Sequence, residues 1–238
     1  MKPAIIGLIG AMDEEIDYFH EHMTEVVPFA CAGIVFHAGR FHGREVVLCK
    51  SGVGKVNAAA CTGLLIHRFA CTELIFTGVA GALDPALEIG DIVLSNDCMQ
   101  HDMDVSPLGY ARGMIPYQET SIFPADARLL ELAKSAANKL KEGRVVIGRV
   151  LSGDQFIASR EKVAELRHEL NGACAEMEGA AVAQVCAMSG IPFVIIRSMS
   201  DKADGSAPDN FPAFSREAAA RSFRIVQEMI LQLPVMKE

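Results

Sequence analysis

No run of about 18 uninterrupted apolar residues occurs in this 238-residue chain, so a membrane-spanning helix is excluded even though half of its residues are hydrophobic. Neither a Cys-x-x-Cys nor a Cys/His spacing of the zinc-site kind is present, and the seven cysteines sit mostly in apolar segments. They read as reduced, buried thiols of a cytosolic protein, and neither a metal nor a cofactor is expected. Clusters of Lys and Arg stay short, and 22 basic against 30 acidic residues leave a net charge of −8. A nucleic-acid partner is therefore not expected. No Gly-x-Ser-x-Gly elbow exists and no cysteine lies in an electropositive context, which removes serine and cysteine hydrolases. The apolar start imitates a signal peptide only faintly. It holds two glycines, lacks a small-residue cleavage site and runs into Asp13-Glu14-Glu15. A cytoplasmic location without a membrane partner is expected.

What the chain does contain is alternation. A protein of this length buries roughly 70–75% of the surface its unfolded form exposes, enough for a core without disulfides or metal. The run 4–9 reads as a strand covered on both faces, and 13–22 as a helix with acids in its first turn. Strands are predicted at 33–40 and 44–50, joined by a hairpin at Phe41-His42-Gly43, then a helix over 55–69 and a strand at 73–77. Strand 92–99 precedes a proline-rich, aperiodic loop over 104–124. Helix 126–141, strand 144–151, helix 159–170, strand 173–177, helix 179–189, strand 192–198 and helix 213–232, closed by Pro234, complete the pattern. No repeat or linker interrupts it. The expectation is one α/β domain over 1–238, a three-layer αβα sandwich around a central mixed, largely parallel sheet.

Two glycine-rich turns follow strands. Lys50-Ser51-Gly52-Val53-Gly54-Lys55 is not a P-loop, because Cys49 stands where the earlier glycine belongs and Val56 where the Ser or Thr belongs. It is not a dinucleotide fingerprint either, since Asn57 replaces the third glycine. With Thr77-Gly78-Val79-Ala80-Gly81 it makes a pair of small-residue turns where backbone amides face a ligand or simply turn the chain.

Carboxylates stand just after four apolar strands: Asp13-Glu14-Glu15, Asp154, Glu176-Met177-Glu178 and Asp201. In a parallel sheet such ends converge on one edge. Each acid alone is more often a helix cap. Glu178 is an exception, because the small residues around it imply close packing and a buried acid is costly unless it binds something. Asp201, after Arg197-Ser198-Met199-Ser200, suits a carboxylate held for proton transfer. His101-Asp102-Met103-Asp104 lacks supporting metal-ligand spacing and is assigned to solvent or a loop.

Taken in order, Gly10-Ala11-Met12-Asp13-Glu14-Glu15, Ser51-Gly52-Val53-Gly54-Lys55, Thr77-Gly78-Val79-Ala80-Gly81, Ser152-Gly153-Asp154-Gln155-Phe156, Glu176-Met177-Glu178 and Arg197-Ser198-Met199-Ser200-Asp201 resemble the 5′-methylthioadenosine/S-adenosylhomocysteine nucleosidases of the nucleoside phosphorylase superfamily. The resemblance runs from Ala4 to the last helix. It implies hydrolysis of the N-glycosidic bond of 5′-thioadenosine nucleosides, and of 5′-deoxyadenosine, as in methionine salvage. It implies that Glu15 activates water, that Glu178 binds the ribose and stabilises a cationic sugar, and that Asp201, oriented by Ser200, protonates adenine N7. Phe156 would stack on adenine, the Ile157 backbone would read its edge, and Met177 and Phe211 would pack around the ribose and the 5′ group. Met12, Val53, Val79, Ala80, Gly81, Glu176 and Arg197 complete the implied substrate site. A homodimer is also implied, with Val105 and Leu108 lent to the partner's site.

The alternatives are a purine nucleoside phosphorylase, an aminodeoxyfutalosine nucleosidase and a silent adenosine-binding protein. Phosphorylases of the superfamily carry Gly-Asp-Pro and then an arginine in the first loop, whereas three acids stand here. Val79 replaces a common serine, and Leu108 stands where many relatives have Phe.

Overall fold

The computed structural model describes residues 4–140, 143–203 and 207–233, with backbone alone over 207–213. The apolar N-terminal run forms β1 (Ile6–Gly10), followed by α1 (Asp13–His22), β2 (Thr24–Cys31), β3 (Ile34–Phe41), β4 (Arg44–Lys50) and α2 (Lys55–His67). Then come β5 (Glu73–Ala82), β6 (Ile92–Gln100), a turn of 3-10 helix at Ser106–Leu108, β7 (Ile122–Pro124) and α3 (Ala127–Leu140). The chain continues through β8 (Val145–Ser152), α4 (Arg160–Leu170), β9 (Gly172–Glu176), α5 (Gly179–Ser189), β10 (Phe193–Asp201) and α6 (Ala207–Gln232). The expected closing role of Pro234 falls outside the described residues.

β1 is buried at every position because it lies inside the sheet, parallel to β4 on one side and β5 on the other. Successive side chains then enter opposite packing layers. Ile6 and Leu8 join Phe19 of α1, Leu129 of α3, and Phe223 and Val226 of α6. Ile9 faces the other way, toward Cys61 and Leu65 of α2 and Val182 of α5. Alanines on α5, among them Ala180, Ala181 and Ala183, keep that second layer thin. Helices therefore cover both faces of the sheet.

The sheet itself departs from the expectation in two ways. It is mixed but not largely parallel. β1–β4, β1–β5, β5–β10, β6–β8 and β8–β9 are parallel, while β2–β3, β3–β4, β5–β9, β6–β7 and β6–β10 are antiparallel. It also closes on itself, since β5, β10, β6, β8 and β9 pair in a ring, with β1, β4, β3 and β2 extending from β5 as a flap. A flat layer between two helical layers does not describe that ring.

Local differences have plain causes. β2 was not anticipated: most of its side chains are exposed and it contains Pro28, both tolerable on an edge strand paired only to β3. β5 and β10 run on through their small residues to Ala82 and Asp201, because each supplies ladder bonds to the other. The long loop contains β7, which pairs with β6.

Phe19 is fully buried, with its ring centroid 5.7 Å from that of Phe41 and 4.9 Å from that of Phe223. Phe19→Ala should cost about 3–5 kcal/mol of unfolding free energy in a urea titration. A loss below 1 kcal/mol would mean that this layer does not hold α1 and α6 to the sheet.

Candidate active site

The ring closes where two strands running in opposite directions meet near their C-terminal ends. β5 and β9 pair over two positions only, Gly81 with Ala175 and Ala82 with Cys174. A cleft of about 590 Å³, counted out to its open mouth, lies at this junction. The β1–α1 connection contributes Met12 and the first turn of α1 Glu15, the turn before α2 contributes Val53, and the end of β5 contributes Val79, Ala80 and Gly81. Phe156 and Ile157 come from the loop after β8, Glu176, Met177 and Glu178 from the end of β9, and Ser200 and Asp201 from the end of β10.

Glu15 is buried, and its carboxylate is seated by three backbone amides. Ala11 N–H and Met12 N–H donate to Oε2 at 2.6 and 3.1 Å, and Val79 N–H donates to Oε1 at 2.9 Å. Burial pushes its pKa up, against the Arg197 charge and these amides. A Cβ on Gly78 would fall 2.3 Å from Glu15 Oε1 and 2.6 Å from Arg197 Nη1, so only glycine lets β5 pass this close.

Glu178 accepts from Gly54 N–H at 2.8 Å. Burial, then the neighbouring Glu176 charge, push its pKa up to about 8, with Arg197 and the Gly54 amide opposing. Asp201 is held by both oxygens: Oδ1 accepts from Ala203 N–H at 2.7 Å and Oδ2 from the Ser200 hydroxyl at 2.8 Å. Phe156 is more than half exposed at the cleft mouth, whereas Ile157 is nearly buried.

A model of the phosphorylase superfamily matches residues 5–231. A 5′-methylthioadenosine/S-adenosylhomocysteine nucleosidase of Marinomonas sp. (strain MWYL1) is 42% identical over 228 residues, covering 95% of this chain and 98% of its own. The chain belongs to this nucleosidase family.

Among solved structures, the nucleosidase of Colwellia psychrerythraea 34H in complex with adenine is 38% identical with a TM-score of 0.92, covering 98% of this chain and 96% of its own. A futalosine hydrolase of Helicobacter pylori strain 26695 is 35% identical with a TM-score of 0.92, covering 97% and 98%. The family relationship explains why residues scattered over six sequence motifs meet in one cleft.

One placement differs from the sequence reading of the nucleosidase site. Arg197 lies beneath the cleft rather than in its lining: it is 2% exposed, its Nε donates to Glu176 Oε2 at 3.2 Å, and its guanidinium carbon lies 3.9 Å over the Phe76 ring. Burial works against its charge, but Glu176, Glu15 and Glu178 outweigh it. Asp102 lies in the turn after β6, within the loop expected for it, and there pairs with Lys55 at 2.6 Å, while His101 beside it is fully buried. Ala11 and Gln155, inside the sequence motifs, and Ala175, one residue before Glu176-Met177-Glu178, also line the cleft. The Phe211 side chain lies outside the described residues. Val105 and Leu108, expected at a partner subunit's site, lie outside the cleft of their own chain. No described helix is long and apolar enough to cross a membrane.

The raised Glu178 pKa has a signed consequence. Between about pH 4.5 and 8 the folded protein keeps a proton that the unfolded chain has lost, so stability falls as pH rises through that window. Relative to Glu178→Gln, the wild-type melting midpoint should decline by at least about 2 °C from pH 5 to 8 and flatten above. A difference that stays constant with pH would show that the carboxyl is ionised throughout.

Proposed function

We propose that the cleft hydrolyses the N-glycosidic bond of 5′-methylthioadenosine and S-adenosylhomocysteine, releasing adenine and the 5′-thio-substituted ribose, with 5′-deoxyadenosine as a further substrate. The observation that carries this reading is the meeting of Glu15, Glu178 and Asp201, each on a different strand end, around one cleft with an aromatic ring at its mouth. The family membership and the adenine bound in the Colwellia enzyme support it.

Each acid has a task that the chemistry requires. Adenine leaves poorly until a ring nitrogen is protonated, and Asp201, oriented by Ser200, faces the base and delivers that proton to N7. Departure of the base leaves cationic character on the sugar. Glu178, which in the free protein keeps its proton up to about pH 8, binds the ribose hydroxyls, and the growing positive charge favours its ionised form, which stabilises the cation. A water on the opposite face needs a base. A carboxylate offers about four lone-pair sites, and three at Glu15 are taken by backbone amides, which leaves one to accept the proton of water. Burial, by raising the Glu15 pKa, makes it the stronger base. Phe156 stacks on adenine, the Ile157 backbone reads its edge, and Met12, Val53 and Met177 enclose the ribose and 5′ group. Val79, Ala80 and Gly81 form the opposing wall, while Glu176 and Arg197 support it from below.

A phosphorylase is disfavoured because no Lys or Arg among the described residues lines the cleft. The futalosine hydrolase neighbour favours aminodeoxyfutalosine as a second reading for the 5′ substituent. A homodimer fits the exposed apolar side chains Val56, Leu108, Tyr117 and Met188, with Val105 and Leu108 reaching the partner's cleft.

Adenine release from 5′-methylthioadenosine should proceed in phosphate-free buffer and gain nothing from added phosphate. Dependence on phosphate would make the protein a phosphorylase, and no turnover in either buffer would remove this substrate. Asp201→Asn keeps size but cannot supply the proton, and should lower kcat about 10²–10⁴-fold with the fold intact. Glu15→Gln should lose hydrolysis to a similar degree yet retain adenine in equilibrium dialysis. Loss of adenine binding there would contradict a water-activating role.

A further inference from the structure

We propose that Lys55, Asp102 and Asp154 form a clasp that fixes the spacing of the two cleft walls, making them positioning residues for substrate binding. The proposal rests on the nucleosidase reading of the cleft. None of the three residues lines it.

α2 starts without a cap of its own. Gly54 has no side chain to offer, and the first turn contains no acid. Open amides at a helix start, together with its positive dipole end, demand acceptors. Two carboxylates from distant loops supply them: Glu178 Oε1 accepts from Gly54 N–H and Asp154 Oδ1 from Lys55 N–H, both at 2.8 Å. Val53, just before this helix start, is one wall of the cleft, and Gln155 and Phe156, just after Asp154, are another. The Asp154–Lys55 bond therefore ties wall to wall.

The tie is locked from behind. Asp102 Oδ2 accepts from Asp154 N–H at 3.0 Å, and Oδ1 accepts from Lys55 Nζ at 2.6 Å. Lys55 Nζ also donates to Gln100 Oε1 at 2.9 Å, which anchors the group to the end of β6. The ion-pair side chains are only 18% and 15% exposed, so water screens them less than it would a surface pair. There is little slack at the joint: Gly54 has φ +99°, and a Cβ there would sit 3.1 Å from Asp154 Oδ1. Glu15 and Asp201, by contrast, are seated by amides and a hydroxyl outside the clasp. Releasing it loosens binding first and reaches the chemistry only through Glu178, whose Gly54 partner sits at the same helix start and stays bonded when Lys55 or Asp102 is changed.

The test is steady-state kinetics with 5′-methylthioadenosine and equilibrium binding of adenine, on Asp102→Asn, Lys55→Met and the double variant. KM and the adenine Kd should each rise about tenfold in either single variant, with kcat within about threefold of wild type. The double variant should be no worse than the worse single one, because both break the same unit. Wild-type KM in both singles, a kcat loss at unchanged KM, or multiplying effects in the double would overturn the clasp. Lys55→Met leaves the Asp102–Asp154 bond intact, so it serves if Asp102→Asn does not fold. If the wild-type enzyme releases no adenine, the substrate reading fails separately. The clasp then stands or falls on amide exchange over 52–56 and 153–157, which should be about tenfold faster in either variant.

Discussion

The buried ion pair between Arg197 and Glu176 is the interaction on which the cleft depends. Removing a guanidinium from water costs several kcal/mol, and only a well-placed partner offsets that cost. Glu176 is such a partner, and its carboxylate also accepts from Gly179 N–H at 2.8 Å and from the Ser152 hydroxyl. One carboxylate thus joins the end of β8, the start of α5 and the middle of β10. Phe76 under the guanidinium adds an apolar platform that also attracts the cation. Without this positive charge, Glu15, Glu176 and Glu178 would crowd a poorly hydrated space with like charges. With it, Glu176 is neutralised locally, while Glu15 and Glu178 stay under-compensated, as their raised pKa values show. A carboxylate that is not fully paired is one that can still act on a ligand.

Closure of the sheet explains how these groups meet. A wholly parallel sheet would bring strand ends to a single edge, but β9 runs against β5. The acids of β9, β10 and the first turn of α1 share a cleft because β5 and β9 meet near their C-terminal ends, where the ring of five strands shuts. The short overlap has a functional side. Two paired positions suffice to close the ring, and the residues just beyond, Met177 and Glu178 on one side and the β10 end on the other, stay free to line the opening. Small residues at Gly78, Ala80 and Gly81 are the steric condition for it. A Cβ on Gly81 would meet Ala203 Cβ at 2.9 Å and Asp201 Oδ1 at 3.0 Å.

Much of the site was legible because its residues cluster in short motifs at strand ends, where a turn, an acid and a glycine coincide within a few positions. Glu15, Glu178 and Asp201 each followed an apolar run, and the ordered motifs resembled a family. The ring was not legible. Pairing between β5 and β9 depends on strand direction, and hydrophobic patterning does not encode direction. β2 escaped because an edge strand lacks the buried alternation that marks inner strands. Asp102 escaped because its partner Lys55 is 47 residues away in the chain, and local composition around it resembles any solvated acidic loop. The cap of α2 was hidden for the same reason, since both acceptors come from other loops.

The choice of nucleophile follows from the same electrostatics. A phosphate dianion would need a cation in the cleft wall, or several free amides. The amides at Ala11, Met12 and Val79 are already spent on Glu15, and that at Gly54 on Glu178. The buried guanidinium is spent on Glu176, and Lys55 points away to Asp102. Each of these donors, which could have cradled an anion, is occupied by a carboxylate of the protein itself. Water carries no charge to be repelled, and in the mechanism proposed above it is small enough to reach the open lone pair of Glu15 and gains nucleophilicity by giving up a proton there. Converting this cleft to phosphorolysis would therefore take more than adding an arginine: Glu15 would have to leave, so that the amides now holding it could turn to phosphate.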